Sequence, residues 1–186
     1  MNRLNDRSSS EPASITALQW AAGMWFSNED VGCGVAEIAV DALPHWANRL
    51  LVHDDHMTTR LQDFHGGPIE LIVLDETQQA DEYRRLILLK TASTGAVVEL
   101  GMCRIDFRFT PAAVREEVLD RRAPLGDILI RHNVLRRVEP RSFWKFPVHT
   151  PLLRHTKSNW REAFGRVGVI HCNGSPAIDL LEIVGQ

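Results

Sequence analysis

The stretch YRRLILLKTASTGAVVELGMCRIDFRF, residues 83–109, decides the fold class because two long apolar runs flank a short polar turn. YRRLILLK (83–90) predicts a strand, Ser93-Thr94-Gly95 closes a hairpin, and residues 96–109 predict a second, longer strand. IELIVLD (69–75) predicts a strand just before this hairpin, with the polar loop DETQQADE between them. This region therefore predicts three consecutive antiparallel strands.

A second hairpin is predicted at the C-terminus. GRVGVIHC (165–172) and AIDLLEIV (177–184) flank the turn pair Asn173-Gly174. VLRRVE (134–139) is a further candidate strand, whereas residues 140–160 show no clear period. The strands come in hairpins, which predicts antiparallel pairing.

Four short helices are predicted between these strands, each from turn and capping signals. The first begins at a turn capped by Asp41, with Pro44 early in the helix, and the second begins at Asp54 or Asp55 and ends near Phe64, before Gly66-Gly67-Pro68. The third begins at Pro111 with Thr110 as the cap, and the fourth begins at Pro124-Leu125-Gly126 and runs to about Arg131. The predicted fold class is α+β, a single antiparallel β-sheet with helices inserted between hairpins and covering one face.

Composition excludes several classes of protein. The chain has 186 residues, 44% hydrophobic and 24% charged, with a formal net charge of -3, so an ordinary globular domain is expected and a disordered chain is not. A net charge this close to zero lacks the basic footprint of a nucleic-acid binder or a polybasic membrane-surface protein. No apolar run approaches the roughly 20 residues that span a bilayer.

The N-terminal region divides into two predicted parts. Residues 1–14 predict a mobile tail, and residues 15–186 predict a single domain. The apolar stretch from Ile15 to Phe26 is broken by Gln19 and lacks a nearby small-x-small cleavage site, so a signal peptide is rejected. The three cysteines, Cys33, Cys103 and Cys172, form neither a metal spacing nor a disulfide framework, which favours the cytoplasm.

Two charged residues stand out on apolar strand faces. Alternation places Arg85 with Tyr83, Ile87 and Leu89, and it places Glu182 with Ile178 and Leu180. If these faces look inward, both charges are desolvated and each needs a partner. The simpler interpretation is that they pair with each other or lie at a sheet edge. The alternative is a pocket for a ligand with a carboxylate at one end, bound by Arg85, and a hydroxyl at the other, contacted by Glu182.

A helix start and a group of histidines also bear on which ligand the chain could bind. The helix start at Pro124-Leu125-Gly126 exposes backbone amides that favour anions, although such a start is commonly structural. The histidines in HDDH (53–56) and His65 suggest a metal, but Asp54 and Asp55 are better explained as helix caps and no further ligand cluster is evident. No metal site is predicted.

The pattern of these segments resembles the chorismate–pyruvate lyase family, whose enzymes make 4-hydroxybenzoate from chorismate. Four segments across about residues 45–184 carry the resemblance: HDDHMTTRLQ (53–62) with Met57, Thr58 and Arg60; RRLILLK (84–90); the stretch from Gly95 to APLGDIL, with Arg137 in step; and the tail from Gly165 to Glu182. The resemblance rests on the order and spacing of the four segments, because no single segment is specific to the family.

The resemblance implies a fold, an activity and a site. The site residues would be Arg85, binding the ring carboxylate; Leu125, assisting through its backbone N–H; Glu182, contacting the ring hydroxyl; and Met57, lining the site. Arg85 and Glu182 would be the catalytic pair of a carbon–oxygen lyase that needs no cofactor and no metal, because aromatisation drives the reaction. The helices at 54–64 and 111–131 would be flaps over an enclosed pocket. Departures from the family pattern are a closing turn one residue longer before Glu182, and a poor match over 140–160.

Three alternatives stay open. The same fold serves as the small-molecule-sensing domain of bacterial winged-helix repressors, so the chain could bind an aromatic acid without converting it, although the region before residue 45 is short and weakly basic for a DNA-binding domain. A relative could make another hydroxybenzoate, such as 3-hydroxybenzoate. A structural protein with an internal Arg85–Glu182 pair is the third. The sequence indicates neither the oligomeric state, for which a monomer is plausible, nor the downstream pathway, ubiquinone biosynthesis being one use of 4-hydroxybenzoate.

Overall fold

The computed structural model describes Leu18, Gly23, Phe26 and residues 34–186. The predicted mobile tail over residues 1–14 lies outside these residues. Between 34 and 186 the chain forms one seven-stranded antiparallel sheet. Its strands are β1 (Ala36–Ile38), β2 (Ile69–Gln79), β3 (Glu82–Thr91), β4 (Val97–Asp106), β5 (Arg136–Phe146), β6 (Ala163–Cys172) and β7 (Ser175–Gly185).

The spatial order of the strands is β1-β5-β6-β7-β4-β3-β2. Two meanders, β2-β3-β4 and β5-β6-β7, therefore meet at the β4–β7 pair, where Gly101 lies opposite Glu182 and Cys103 opposite Leu180. Four α-helices fill the connections: α1 (His45–Leu51), α2 (Met57–His65), α3 (Ala112–Asp120) and α4 (Leu125–Arg131). The predicted α+β class, with a single antiparallel sheet and inserted helices, is confirmed.

The sheet buries both of its faces. Leu86, Leu88, Leu181 and Ile183 belong to one face, against which the 3-10 segment Pro151–Thr156 packs through Leu152 and Leu153. The four helices pack on the opposite face, the one that carries Arg85 and Glu182. The alternation predicted for β3 and β7 is therefore confirmed, and both charged residues point toward the helical layer.

Helix starts were predicted less well than strands. Helix α1 begins at His45 after Pro44, with Asp41 in a separate 3-10 turn, and α2 begins at Met57 rather than at Asp54 or Asp55. Asp55 instead forms an ion pair with Arg60, one turn into α2, at 2.8 Å. Helix α2 ends as predicted, at Gly66, whose φ of 70° is the left-handed conformation that glycine adopts without strain.

Two further corrections concern the strands of the first meander. The predicted polar loop DETQQ is strand, because β2 is the edge of the sheet and its outer face is solvated, which permits polar residues. Residues 107–109, predicted as strand, form a 3-10 turn, since the Asp106 carboxylate accepts a hydrogen bond from the amide of Arg108. Thr110 does not cap α3; its hydroxyl donates to the carbonyl of Phe107, and Pro111 precedes the helix.

The region without a clear period also contains a strand. Strand β5 runs on from the predicted 134–139 segment to Phe146, and its register against β6 shifts between Pro140 and Ser142. Because a proline has no N–H to donate to the neighbouring strand, the register of β5 against β6 shifts at Pro140. The regular alternation of the sequence is interrupted at the same place.

Candidate functional site

A cavity lies between the sheet and the helices, centred on the β3–β4–β7 part of the sheet. It encloses about 510 Å³ of empty space, including part of its opening to solvent. All four residues that the sequence predicted for a site line it: Met57, Arg85, Leu125 and Glu182. They come from two helices and two strands, so residues as far apart in sequence as Met57 and Glu182, 125 positions, meet in one site.

Arg85 is the most unusual residue of this cavity. It is 1% exposed, and its Nε and Nη1 atoms have no hydrogen-bond partner among the residues that the structure describes. The Cys103 thiol lies beside it; burial raises the pKa of this thiol, and the Arg85 guanidinium opposes that shift. A buried guanidinium with free donors is a strong site for a planar carboxylate.

Glu182 does not pair with Arg85, so the simpler interpretation, an internal Arg85–Glu182 pair, is wrong. The partner of Glu182 is Arg166 on β6, whose Nε donates to Oε2 at 2.6 Å. The strand carrying Glu182 lies two strands away from the one carrying Arg85. Two strand spacings correspond to about 10 Å, enough to place a six-membered ring between the two side chains.

Arg166 also fixes the wall of the cavity above the sheet. Its Nη1 donates to the carbonyls of Leu51, the last residue of α1, and of His53, in the segment between α1 and α2, both at 3.0 Å. One buried guanidinium therefore holds Glu182 in place and anchors the approach to α2. This role was not predicted, although an arginine in the apolar run AFGRVGVI was a visible signal.

Glu99 is a second carboxyl that the sequence analysis missed. It is 2% exposed and lines the cavity, and its Oε2 has no partner among the described residues. Burial, reinforced by the negative charge of Glu182, raises the pKa of Glu99 well above its usual value. Burial therefore favours the protonated, neutral form of Glu99. The isolated charge in VVELGMC was the signal for it.

Helices α2 and α4 meet above the cavity. A Cβ added to Gly126 would lie 2.8 Å from the Cβ of His56, so this contact is as close as glycine allows. His56 precedes α2, and the Nε of Arg136 donates to its Nε2. Burial and the nearby Arg136 charge lower the pKa of His56 to about 4, so His56 is neutral near pH 7. The predicted flap helices α2 and α4 thus form a roof over the cavity.

The histidines are not arranged for a metal. Nε2 of His53 lies 2.6 Å from the carbonyl oxygen of Leu50, while His56 faces Arg136. Within residues 34–186 and the three described positions before them, no group of three or more His, Cys, Asp or Glu side chains is placed to hold a metal ion. In the same part of the chain, no helix is long and apolar enough to cross a membrane.

Comparison with known proteins gives no family assignment. No protein-family model matches the chain, and no curated protein matches it. Among solved structures, PhnF from Mycobacterium smegmatis aligns with a TM-score of 0.49 and 12% identity, over 74% of this chain and 66% of PhnF, just under two thirds of that protein. The effector domain of the same PhnF gives 0.48 and 13%, over 74% and 92% of the two chains.

A third structure, the gene product SA0254 from Staphylococcus aureus subsp. aureus N315, gives a TM-score of 0.44 and 11% identity over 64% of this chain and 84% of that one. These values are too low to assign either a family or a function. What the molecule itself establishes is an α+β domain with a cavity between its single antiparallel sheet and its helices.

Proposed function

We propose that this cavity binds a ring carboxylate and that the protein is a chorismate–pyruvate lyase, which releases pyruvate from chorismate to leave 4-hydroxybenzoate. The single observation that carries the proposal is the buried Arg85, whose Nε and Nη1 have no partner among the described residues, in a cavity that Glu182 also lines. An anionic ligand would supply the hydrogen bonds that Arg85 lacks.

The charges of the cavity support an anion. Arg85 has no ion pair among the described residues, Arg166 is paired with Glu182, and burial favours the neutral forms of Glu99 and His56. A low dielectric strengthens the attraction between Arg85 and a bound carboxylate. The ring would then lie across β4, where Gly101 presents no side chain opposite Glu182.

The chemistry balances within the substrate. The ether bond between the ring and the enolpyruvyl group breaks, the ring carbon that bears the hydroxyl loses its hydrogen as a proton, and the methylene carbon of the departing group gains one proton. The products are 4-hydroxybenzoate and pyruvate, with no water consumed and no oxidant needed. Holding the substrate in a reactive geometry contributes at most about 7–11 kcal/mol to lowering the barrier.

Glu182 orients the ring hydroxyl in this proposal. Arg166 donates to its Oε2 at 2.6 Å, so one carboxylate oxygen of Glu182 is already engaged. The proton therefore need not pass through it, and a direct transfer within the substrate fits the same geometry. Leu125, the first residue of α4, and Met57, the first of α2, border the ligand from the helical side.

The experiment is to mix purified protein with chorismate and follow pyruvate by a coupled dehydrogenase assay, with chromatography of the aromatic product. We expect equal amounts of pyruvate and 4-hydroxybenzoate, abolished turnover in Arg85→Ala, and a larger loss of rate than of affinity in Glu182→Gln. Wild-type rates in both variants would refute the site.

The ion pair on Glu182 also favours a second candidate, a protein that binds an aromatic acid without converting it. Binding of chorismate without release of pyruvate would support this candidate and refute the lyase. A different hydroxybenzoate as the product would identify a related chorismate-converting enzyme.

A further inference from the structure

Glu99 has the features of a ligand-recognition group that the proposed reaction does not use. A carboxyl buried to 2% exposure is rare, and leaving one of its oxygens without a partner is costly unless a ligand satisfies it. The Glu99 side chain lines the same cavity as Arg85 and Glu182. Its free oxygen therefore borders the space in which a ligand would lie.

The sheet register brings Glu99 next to Glu182. A Cβ on Gly101 would lie 2.9 Å from Oε1 of Glu99, so the Glu99 carboxyl leans over the glycine. Gly101 is directly opposite Glu182 on β7. Glycine at this position leaves the two carboxyl groups side by side at the end of the cavity away from Arg85.

The two carboxyls carry complementary hydrogen-bonding capacity. Glu182 accepts a hydrogen bond from Arg166 and can accept another, whereas burial favours the protonated form of Glu99, which has one O–H to donate. A hydroxyl group both donates and accepts. One ligand hydroxyl between them would donate to Glu182 and accept from Glu99, satisfying all three groups.

We propose that Glu99 and Glu182 together form a hydroxyl-recognition site, which selects ring carboxylates hydroxylated at the end opposite the carboxylate over unsubstituted ones. This inference rests on the proposed function only in taking the ligand to be a ring carboxylate held by Arg85. It holds whether or not the protein converts its ligand.

The test compares the dissociation constants of 4-hydroxybenzoate and benzoate by isothermal titration calorimetry. A site built to bond a hydroxyl rejects the analogue that lacks it, so we expect wild-type protein to prefer 4-hydroxybenzoate by about 100-fold or more. Glu99→Leu, similar in size and apolar, should reduce the preference to less than about 10-fold, mainly by weakening 4-hydroxybenzoate. Glu70→Leu, on the exposed edge strand β2, is the matched control and should leave the preference unchanged.

The outcomes separate this inference from the proposed function. If both ligands bind wild-type protein and Glu99→Leu retains the full preference, hydroxyl recognition by Glu99 is refuted while the Arg85 site stands. If neither ligand binds, both proposals fail. An independent readout is the infrared C=O band of a protonated carboxyl, which should be present in wild-type protein, shift when 4-hydroxybenzoate binds, and be absent in Glu99→Gln.

Discussion

Replacing Arg85 by methionine should change stability and binding in opposite directions. Methionine keeps a flexible apolar stem of similar reach but removes the guanidinium, whose Nε and Nη1 lack partners in a site that is 1% exposed. A buried polar group without a hydrogen bond costs about 1–3 kcal/mol. We therefore expect the ligand-free variant to gain about 1–3 kcal/mol in its free energy of unfolding.

The same substitution should greatly weaken binding of a ring carboxylate. Removing one partner of a buried, hydrogen-bonded charge pair costs about 2–5 kcal/mol, which raises the dissociation constant of 4-hydroxybenzoate by about 30- to 5,000-fold. A residue whose role is only to hold the fold together would not show this combination.

The assay is thermal unfolding with and without saturating 4-hydroxybenzoate. For a chain of this size, 1 kcal/mol corresponds to a Tm shift of about 2–4 °C. Arg84→Met is the matched control, since Arg84 lies on the other face of β3 and is hydrogen-bonded to Glu82 at 2.6 Å. It should retain the ligand-induced rise in Tm. An Arg85→Met protein that is less stable than wild type without ligand, and that still shows the full ligand-induced rise, would refute the reasoning.

Three further predictions concern the layer around the cavity. Gly126→Ala places a Cβ within 2.8 Å of His56, so we expect a loss of about 1 kcal/mol and faster hydrogen exchange in α2; unchanged exchange would show that the roof adapts freely. His53 and His56 both have a pKa lowered to about 4, mainly by burial, against 6.5 in the unfolded chain. The unfolded chain takes up a proton at each histidine below pH 6.5 and the folded protein does not, so stability is complete above pH 6.5 and falls by about 2–3 kcal/mol for each histidine as the pH falls toward 4. Urea unfolding of wild type and His56→Gln at pH 7 and 4.5 would measure this loss. Burial raises the pKa of Glu99, so the folded protein keeps this proton to a higher pH than the unfolded chain does, and stability falls as the pH rises above 4.5. Glu99→Gln should therefore raise the Tm of the ligand-free protein by a few degrees at pH 8 and by less at pH 4.5. An equal change at both pH values would contradict a raised pKa for Glu99.

The sequence predicts the strands of this fold better than its helix starts. Alternation is a local property of a strand that is buried on both faces, so the faces of β3 and β7 could be assigned residue by residue. Alternation does not identify the edge strand β2 beyond residue 75, because side chains on a solvated strand can be polar on both faces. The start of α2 depends on contacts of the preceding segment with Arg166, more than 110 residues away, which no local signal reveals.

The residues of the candidate site likewise divide into those that local sequence patterns predict and those that depend on tertiary contacts. Arg85 and Glu182 could be found because each is a charge on an apolar strand face, and Leu125 because it begins a helix after Pro124, whereas Met57 came from the resemblance. The actual partner of Glu182 could not be predicted, since it depends on β6 and β7 pairing so that Arg166 lies opposite Glu182. Glu99 had the same sequence signal as Arg85, but its raised pKa follows from burial and from the neighbouring charge of Glu182, which are tertiary effects.

The central claim is that a ring carboxylate lies between Arg85 and Glu182, and a crystal structure of the protein with 4-hydroxybenzoate tests it most directly. The account predicts the ligand carboxylate within hydrogen-bond distance of Nε or Nη1 of Arg85 and the ligand hydroxyl against Glu182. Density for the ligand elsewhere on the protein, with this cavity closed around an Arg85 that remains unpartnered, would contradict it.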